Sequence, residues 1–158
     1  MASKVVSANK PKIHIIYYSM YGHVAASNFQ PKSNCNFLVF FLVAKSVLKG
    51  VESAGAEGHL IQVPETLSKE VLEKMHAPPK DKNIPTIAMG GPAGENTVTL
   101  DDALVNCDGI LFGIPTRFGA MPSQVKAIWD ATGRLWQQGA LVGKPISVFF
   151  STSTQGGG

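Results

Sequence analysis

The sequence predicts an α/β protein in three layers, with helices packed on both faces of a parallel sheet. Two observations carry this prediction. Apolar runs typical of buried strands alternate with stretches whose apolar residues recur every three or four positions, as in amphipathic helices. The chain has 158 residues, of which 44% are hydrophobic and 16% charged, and these values suit one ordinary domain with a packed core.

Composition and charge exclude several classes of protein. The formal net charge of +3 comes without a run of lysines and arginines, so we expect no nucleic-acid partner. Cys35 and Cys107 have no cysteine or histidine at the spacing of zinc ligands, so we expect neither a disulfide framework nor a metal site. This use of cysteine favours the reducing cytoplasm as the location.

Hydropathy predicts no transmembrane segment. Residues Met1–Pro11 form a polar leader without the apolar region of a secretory signal. The most hydrophobic stretch, Phe37–Ala44, is far shorter than the roughly 20 residues of a membrane-spanning helix, so we expect a buried helix or strand there. Peripheral contact with a membrane stays open, because an apolar run of this kind, if exposed, can bind other apolar surfaces.

The first half of the chain contains two predicted strands and two predicted helices. The β-branched and aromatic run Lys12–Ser19 indicates a buried strand that leads into a loop. Helical spacing of apolar residues predicts an amphipathic helix over Val39–Ala54. Gly58–Val63 is a second short strand, and Ser68–Met75 a short helix that Ser68 caps at its N-terminus.

The second half repeats this alternation after a break. Ala77–Asn96 is rich in proline and glycine and predicts a long surface loop. Thr99–Asn106 is a short helix capped by Thr99, and Gly109–Ile114 is a strand buried on both faces. Pro122–Thr132 is a helix with proline in its first turn, and Lys144–Ser151 is a fourth strand.

Three of the four predicted strands end in loops that carry potential binding groups. Ligands of parallel α/β sheets bind beyond the carboxyl ends of the strands. Ser19–Val24 combines a hydroxyl, a glycine and backbone N–H groups, which suit a phosphate, but it is neither a Walker A loop nor a dinucleotide fingerprint. Pro115–Gly119 offers a cation and an aromatic ring to a planar ligand, and Ser151–Gly158 offers hydroxyls and close backbone approach.

Each of these features also has an ordinary structural interpretation. The first loop is compatible with a simple strand–helix turn, and the third with a flexible tail. Arg117 is compatible with a surface position and Phe118 with the core. Trp136 is compatible with a stacking wall for a flat substrate and equally with a packing residue.

In combination, however, the loops closely resemble one family, the WrbA-type NAD(P)H:quinone oxidoreductases. The resemblance covers most of residues 12–24 and 44–158, and its blocks are IIYYSMYGHV, QVPETL, GIPTRFGAMPSQVKAIWDATGRLW and GKPISVFFSTSTQGGG. It implies a flavodoxin-like fold with strand order 2-1-3-4-5, one FMN per subunit and a homo-oligomer, usually a tetramer. It also implies two-electron reduction of small-molecule quinones by NADH or NADPH, with ping-pong hydride transfer through FMN.

The resemblance assigns site residues by position and places the chemistry on FMN, with no catalytic side chain. The phosphate and ribityl loop corresponds to Ser19, Met20, Tyr21, Gly22, His23 and Val24. The stretch beside the isoalloxazine ring corresponds to Thr116, Arg117 and Phe118. The third FMN loop corresponds to Ser151, Thr152, Ser153, Thr154, Gln155 and Gly156. Tyr21 also matches a nicotinamide contact, and Trp136 a contact to the quinone.

Two departures from the family pattern qualify this assignment. Residues 25–43 do not resemble the family, and we interpret them as an insertion within a flavodoxin-like domain that spans 12–158. The family continues beyond the third FMN loop with a helix, a fifth strand and a final helix, which we expect to be absent from this chain. Two alternatives therefore stay open: a flavodoxin-type electron carrier, and a truncated, non-catalytic isoform that binds full-length subunits.

Overall fold

The fold is built on a six-stranded sheet in which every paired neighbour is parallel. A computed structural model describes residues 10–20, 39–90, 92–152 and 155. The strands are β1 (Lys12–Tyr17), β2 (Glu57–Gln62), β3 (Thr86–Ile87), β4 (Thr97–Val98), β5 (Gly109–Pro115) and β6 (Ile146–Ser151). Their order is β4-β3-β2-β1-β5-β6. The predicted α/β class is confirmed, and the four predicted strands lie in the expected order.

Five helices connect these strands. They are α1 (Val39–Ser53), α2 (Lys69–Lys74), α3 (Leu100–Leu104), α4 (Ser123–Asp130) and α5 (Gly133–Gln137). Both predicted N-caps are confirmed: the Ser68 hydroxyl accepts the N–H of Val71 at 3.4 Å, and the Thr99 hydroxyl accepts the N–H of Asp102 at 3.0 Å. Each cap satisfies a donor that the first turn of a helix leaves without a partner.

The sheet separates two apolar clusters, because successive side chains of a strand point to opposite faces. Ile16 of β1 belongs to the larger cluster, and its neighbour Tyr17 to the smaller one. The buried members of the larger cluster are Ile16, Tyr18, Ile61, Val63, Ile87, Ala103, Leu104, Cys107, Ile110, Phe112, Val125, Ile128 and Leu135. On the opposite face, Tyr17 packs with Ala44 of α1 and with Ile84.

The prediction of a long surface loop over Ala77–Asn96 is wrong. Ile84 and Ile87 are buried, and Thr86–Ile87 forms β3 at the outer side of β2. The Gln62 side chain fixes this segment, since its amide donates to the carbonyls of Asp81 and Ile84, each at 2.8 Å. These two buried hydrogen bonds hold the segment against β2. The segment is too short to show the sequence periodicity of a longer strand.

Several boundaries also differ from the predictions. The strands predicted as Lys12–Ser19 and Lys144–Ser151 are two residues shorter, and the five-residue helix α5 was not predicted. The first five residues of α1 lie inside the segment 25–43 that we interpret as an insertion. No helix in the described part of the chain has both the length and the apolar character needed to cross a membrane.

Candidate functional site

The carboxyl ends of β1, β5 and β6 lie side by side. Tyr17 pairs with Gly113, and Pro115 pairs with Ser151, so the three strands end at one edge of the sheet. The residues that follow them, Ser19–Met20, Thr116–Phe118 and Thr152, therefore share that edge. This is where ligands of parallel α/β sheets bind, and the structure brings the described parts of all three predicted loops together there.

A tight hairpin presents Phe118 after β5. The N–H of Arg117 donates to the carbonyl of Ala120 at 2.7 Å, and the N–H of Ala120 donates back at 2.9 Å. The two residues between them, Phe118 and Gly119, both have positive φ values, of 50° and 76°. Glycine adopts this conformation freely, whereas phenylalanine does so at a cost. The Phe118 side chain is fully exposed, which rejects the core interpretation.

Arg117 connects the first two predicted loops. Its guanidinium donates to the sulfur of Met20 at 3.8 Å, and Arg117 itself is half-buried. Met20 in turn packs against the larger apolar cluster. The cation therefore lies beside the end of β1.

Trp136 in α5 presents an exposed, flat indole. Its side chain is 82% exposed, which rejects the packing interpretation, although its neighbour Leu135 is buried in the larger cluster. The guanidinium of Arg134 in α5 also forms an ion pair with the carboxylate of Asp101 in α3. Helix α5 is thus anchored on one side while its indole stays available to a planar partner.

The carboxylate of Glu65, just after β2, collects four hydrogen bonds. Its Oε2 accepts the hydroxyl of Tyr18 at 3.0 Å, and its Oε1 accepts the side-chain amide of Gln124 at 2.7 Å. The N–H groups of Thr66 and Leu67 donate to Oε1 at 2.9 and 3.2 Å. Burial acts to raise the pKa of Glu65, but these four donors favour the charged form and leave the pKa below its usual value.

Lys80 completes this cluster. Its amino group lies 5.1 Å from the centre of the Tyr18 ring, within range of a cation–π contact. Burial lowers the pKa of Lys80, and the charge of Glu65 acts in the opposite sense. The cluster therefore places a carboxylate and a partly desolvated amine just behind the loop that follows β1.

The amino end of the sheet carries a different polar cluster around a cavity of about 570 Å³. The Nδ1 of His14 donates to the carbonyl of Ala103 at 2.8 Å, since a carbonyl can only accept. The ring centres of His14 and His59 are 5.6 Å apart. Burial lowers the pKa of His14. Of the predicted site residues that the structure describes, none lines this cavity. Its wall includes Lys12, His14, Leu48, His59, Asn83, Asp102 and Asn106.

The structure describes part of the predicted site. Ser19, Met20, Thr116 and Thr152 are half-buried at the carboxyl edge, and Gln155 is exposed. The side chain of Ser151 is not described. The remaining predicted residues lie outside the described part of the chain: Tyr21, Gly22, His23, Val24, Ser153, Thr154 and Gly156. In the part that is described, no three or more histidine, cysteine, aspartate or glutamate side chains form a group able to hold a metal ion.

Sequence analysis does not predict the hydrogen-bonded cluster around Glu65. Glu65 lies inside the block QVPETL, directly after a strand, and Gln124 lies in the first turn of a predicted helix. A carboxylate at the carboxyl end of a strand is a usable signal, because that edge is where sheets of this class bind ligands. Its partners are 47 and 59 residues away in sequence, so spacing alone did not connect them.

Comparison with known proteins places the chain among flavin-linked reductases. Residues 32–158 match the model of the family described as NADPH-dependent FMN reductase. This match starts within the segment 25–43.

Curated relatives are similar over most of the chain. It is 47% identical over 148 residues to "Minor allergen Alt a 7" of Alternaria alternata, covering 94% of this chain and 59% of that protein. It is 47% identical to "Quinone-oxidoreductase QR2" of Triphysaria versicolor, covering 93% and 58%. It is 45% identical to "NAD(P)H quinone oxidoreductase YCP4" of Candida albicans, covering 93% and 41%. The chain thus spans less than two thirds of the length of these relatives.

A solved structure shows a similar fold. The chain superposes on "the flavodoxin, WrbA-like protein from Agrobacterium tumefaciens" with a TM-score of 0.52 and 21% sequence identity. The match covers 94% of this chain and 64% of that chain. At this sequence identity the similarity supports the fold alone. It agrees with the flavodoxin-like fold that the resemblance implies.

Proposed function

Because the chain belongs to the NADPH-dependent FMN reductase family, we propose that it holds FMN at the carboxyl edge of its sheet and serves NAD(P)H-dependent reduction of quinones. The observation that carries the proposal is the shared edge at which β1, β5 and β6 end, with Arg117 and the exposed ring of Phe118 directly after β5. Trp136, which is also exposed, belongs to the proposal on the resemblance alone. Two relatives whose names state quinone reduction support the substrate class.

The described residues fit a planar, electron-accepting cofactor. Phe118 projects a fully exposed ring from a hairpin whose backbone conformation is costly for it, and such a cost is usual at binding sites. Arg117 supplies a fixed cation where negative charge has to be balanced. Ser19, Thr116 and Thr152 add hydroxyls from three neighbouring loops. The residues proposed for the phosphate, Tyr21–Val24, belong to the proposal on the resemblance alone.

When bound, FMN supplies the two-electron chemistry that connects a reduced nicotinamide with a quinone. The protein's own task is to bind, orient and exclude water. Trp136, with its exposed indole, offers a stacking surface for a flat nicotinamide or quinone. One surface serving both substrates in turn predicts ping-pong kinetics.

The finer parts of the proposal concern assembly and location. Among the described residues, β6 exposes Ile146, Val148 and Phe150, and such an apolar face supports contact with further subunits, as in a homo-oligomer. Cys107 is a free, buried thiol, and burial raises its pKa, which suits the reducing cytoplasm.

The test starts with FMN binding. We expect saturable quenching of flavin fluorescence when the purified chain is titrated into FMN, and benzoquinone reduction by NADH or NADPH in the reconstituted protein. Initial rates at several concentrations of both substrates should give parallel double-reciprocal lines. A chain that leaves flavin fluorescence unchanged would overturn the proposal. One that binds FMN but passes single electrons to a protein acceptor and not to benzoquinone would favour the electron-carrier alternative.

A further inference from the structure

Glu65 connects two segments that flank proposed FMN loops, one before the first loop and one after the second. Tyr18, which donates to Oε2, directly precedes Ser19 and Met20. Gln124, which donates to Oε1, lies in the first turn of α4, just after the hairpin that carries Phe118. The ladder between β1 and β5 reaches its last bond where the N–H of Tyr18 donates to the carbonyl of Gly113 at 3.1 Å. Beyond that bond, the Glu65 carboxylate connects the segment after β1 with the start of α4.

Both donors to the Glu65 carboxylate come from buried residues. Tyr18 is fully buried and Gln124 is 4% exposed, so the carboxylate accepts their hydrogens where little water reaches. A buried donor that loses its partner costs more than the bond contributed, because its desolvation is then uncompensated. Removing the carboxylate should therefore shift one or both segments toward new partners.

The local backbone holds the carboxylate in place. The N–H groups of Thr66 and Leu67 donate to Oε1 from the next two residues, which restricts the rotamer of Glu65. Three of the four donors bond to Oε1 and one to Oε2, so both oxygens of the carboxylate are engaged. The amine of Lys80, over the Tyr18 ring, provides a nearby opposite charge.

We propose that Glu65 is a positioning residue that sets the spacing between the loop after β1 and the hairpin after β5, and thereby the affinity for flavin. The proposal rests on the proposed function. Glu65 acts through Tyr18 and Gln124, and the flavin is recognised by the loops that they hold.

The central experiment compares Glu65→Ala with Glu65→Gln. Alanine removes both acceptors, and we expect the Kd for FMN to rise about tenfold or more, as for a lost hydrogen bond to a charged group. Glutamine keeps one oxygen for Gln124 and the backbone N–H groups, but its amide nitrogen cannot accept the hydroxyl of Tyr18 and can only donate to the Tyr18 oxygen. We therefore expect Glu65→Gln to raise the Kd for FMN by less than Glu65→Ala does. The visible circular dichroism of bound FMN should change in Glu65→Ala and be partly restored in Glu65→Gln.

Asp102→Ala is the matched control. Asp102 also accepts two side-chain hydrogen bonds, from Thr99 at 2.7 Å and Asn106 at 2.6 Å, but it lies beside the cavity at the amino end. We expect this variant to lower the free energy of unfolding without changing the Kd for FMN. If Glu65→Ala likewise lost stability in urea and kept wild-type FMN affinity and circular dichroism, Glu65 would be merely structural and the proposal overturned.

A double-mutant cycle covers the case in which Glu65→Ala does not fold. Tyr18→Phe and Gln124→Leu each remove one donor to the shared carboxylate. We expect each to raise the Kd for FMN, and the two effects together to be smaller than their sum, because either change releases the same connection. Strictly additive effects, or no effects, would overturn the proposal. Failure of the wild-type chain to bind FMN would instead overturn the proposed function, and with it this inference.

Discussion

At the amino end of the sheet, two basic side chains bond to carbonyls of the main chain, whereas at the carboxyl end one carboxylate joins side chains from two other segments. The His14 ring and the Lys144 amine both donate to backbone carbonyls around α3, and the N–H of Lys12 donates to Asp108. At the carboxyl end, Tyr18 and Gln124 meet on Glu65, which also accepts two backbone N–H groups. The first set stabilises the region around α3, and the second connects the loop after β1 with the hairpin that carries the exposed ring of Phe118.

Under the proposed function, this difference separates a part of the molecule concerned with stability from a part concerned with binding. If the separation holds, substitutions at the amino end change the free energy of unfolding and leave FMN affinity alone. Substitutions among exposed groups at the carboxyl end do the reverse. Each of the following variants tests one side of that division.

The largest expected effect is at Lys144. Its amino group donates to the carbonyl of Val105 at 3.0 Å and also to that of Cys107. Lys144→Met keeps the aliphatic stem but leaves both carbonyls without this donor, so we expect the free energy of unfolding in urea to fall by about 2 kcal/mol. The Kd for FMN should not change.

Lys126→Met is the control for the loss of a lysine. Lys126 pairs with Asp130 one helical turn away, and both are exposed, so its removal should cost less than about 0.5 kcal/mol. If Lys144→Met changed the Kd for FMN and Lys126→Met did not, the amino end of the sheet would also affect binding. The proposed separation of stability from binding would then be wrong.

The next effect concerns Trp136 and tests the binding side. Trp136→Ala should leave stability within about 0.5 kcal/mol of wild type because the indole is 82% exposed. The KM for quinone and for nicotinamide should rise roughly tenfold, as expected for a lost stacking face. Val142→Ala, another exposed apolar position, should change neither quantity. If Trp136→Ala mainly raised the Kd for FMN, Trp136 would instead be a residue that binds the cofactor.

A pH effect is expected at His14. Burial lowers its pKa from 6.5, and the nearby cationic groups of His59, Lys12 and Lys144 act in the same direction. Below pH 6.5 the unfolded chain takes up a proton that the folded chain resists, so stability falls as pH falls toward the lower folded pKa and then levels off. Unfolding curves at about pH 7.5 and about pH 5.5 should differ less in His14→Gln than in wild type. An equal difference in both proteins would contradict this account.

The smallest expected effect is at Phe118. The left-handed conformation costs a side chain about 1–2 kcal/mol, and glycine adds about 0.5–1 kcal/mol of unfolded-state entropy. Phe118→Gly should therefore stabilise the free protein by about 0.5 kcal/mol, while weakening FMN binding. His76→Gly, at a φ of 53° and also exposed, should give the same stabilisation with no change in FMN affinity. If both variants bound FMN normally, Phe118 would not belong to the site.

The elements that the sequence predicts well are those whose burial repeats along the chain. The run Gly109–Ile114 is apolar throughout because both faces of β5 are covered, and α4 shows Val125 and Ile128 at helical spacing because they enter one cluster. Two-residue strands are too short for any period to appear, which is why β3 and β4 escaped prediction. The five-residue helix α5 has no side-chain cap to mark its start, whereas the equally short α3 begins at the capping residue Thr99.

Sequence indicates the position of the candidate site but not its connections. Strand order and loop composition indicate the carboxyl edge. The exposure of Phe118 and Trp136 could not be predicted from their residue types, because Phe is often fully buried and Trp is highly buried on average. The role of Glu65 depends on residues that come close only after the sheet has formed.

The position of β1 has a consequence for the order of folding. This strand comes first in the described chain but lies between β2 and β5, and its start is tied to a residue 96 positions later. The larger cluster also includes Leu135 of α5, so it cannot close during synthesis until that residue has left the ribosome. Contacts this distant in sequence slow folding. Until they form, Ile15 and Ile16 of the central strand have no completed core to enter and are exposed to competing partners.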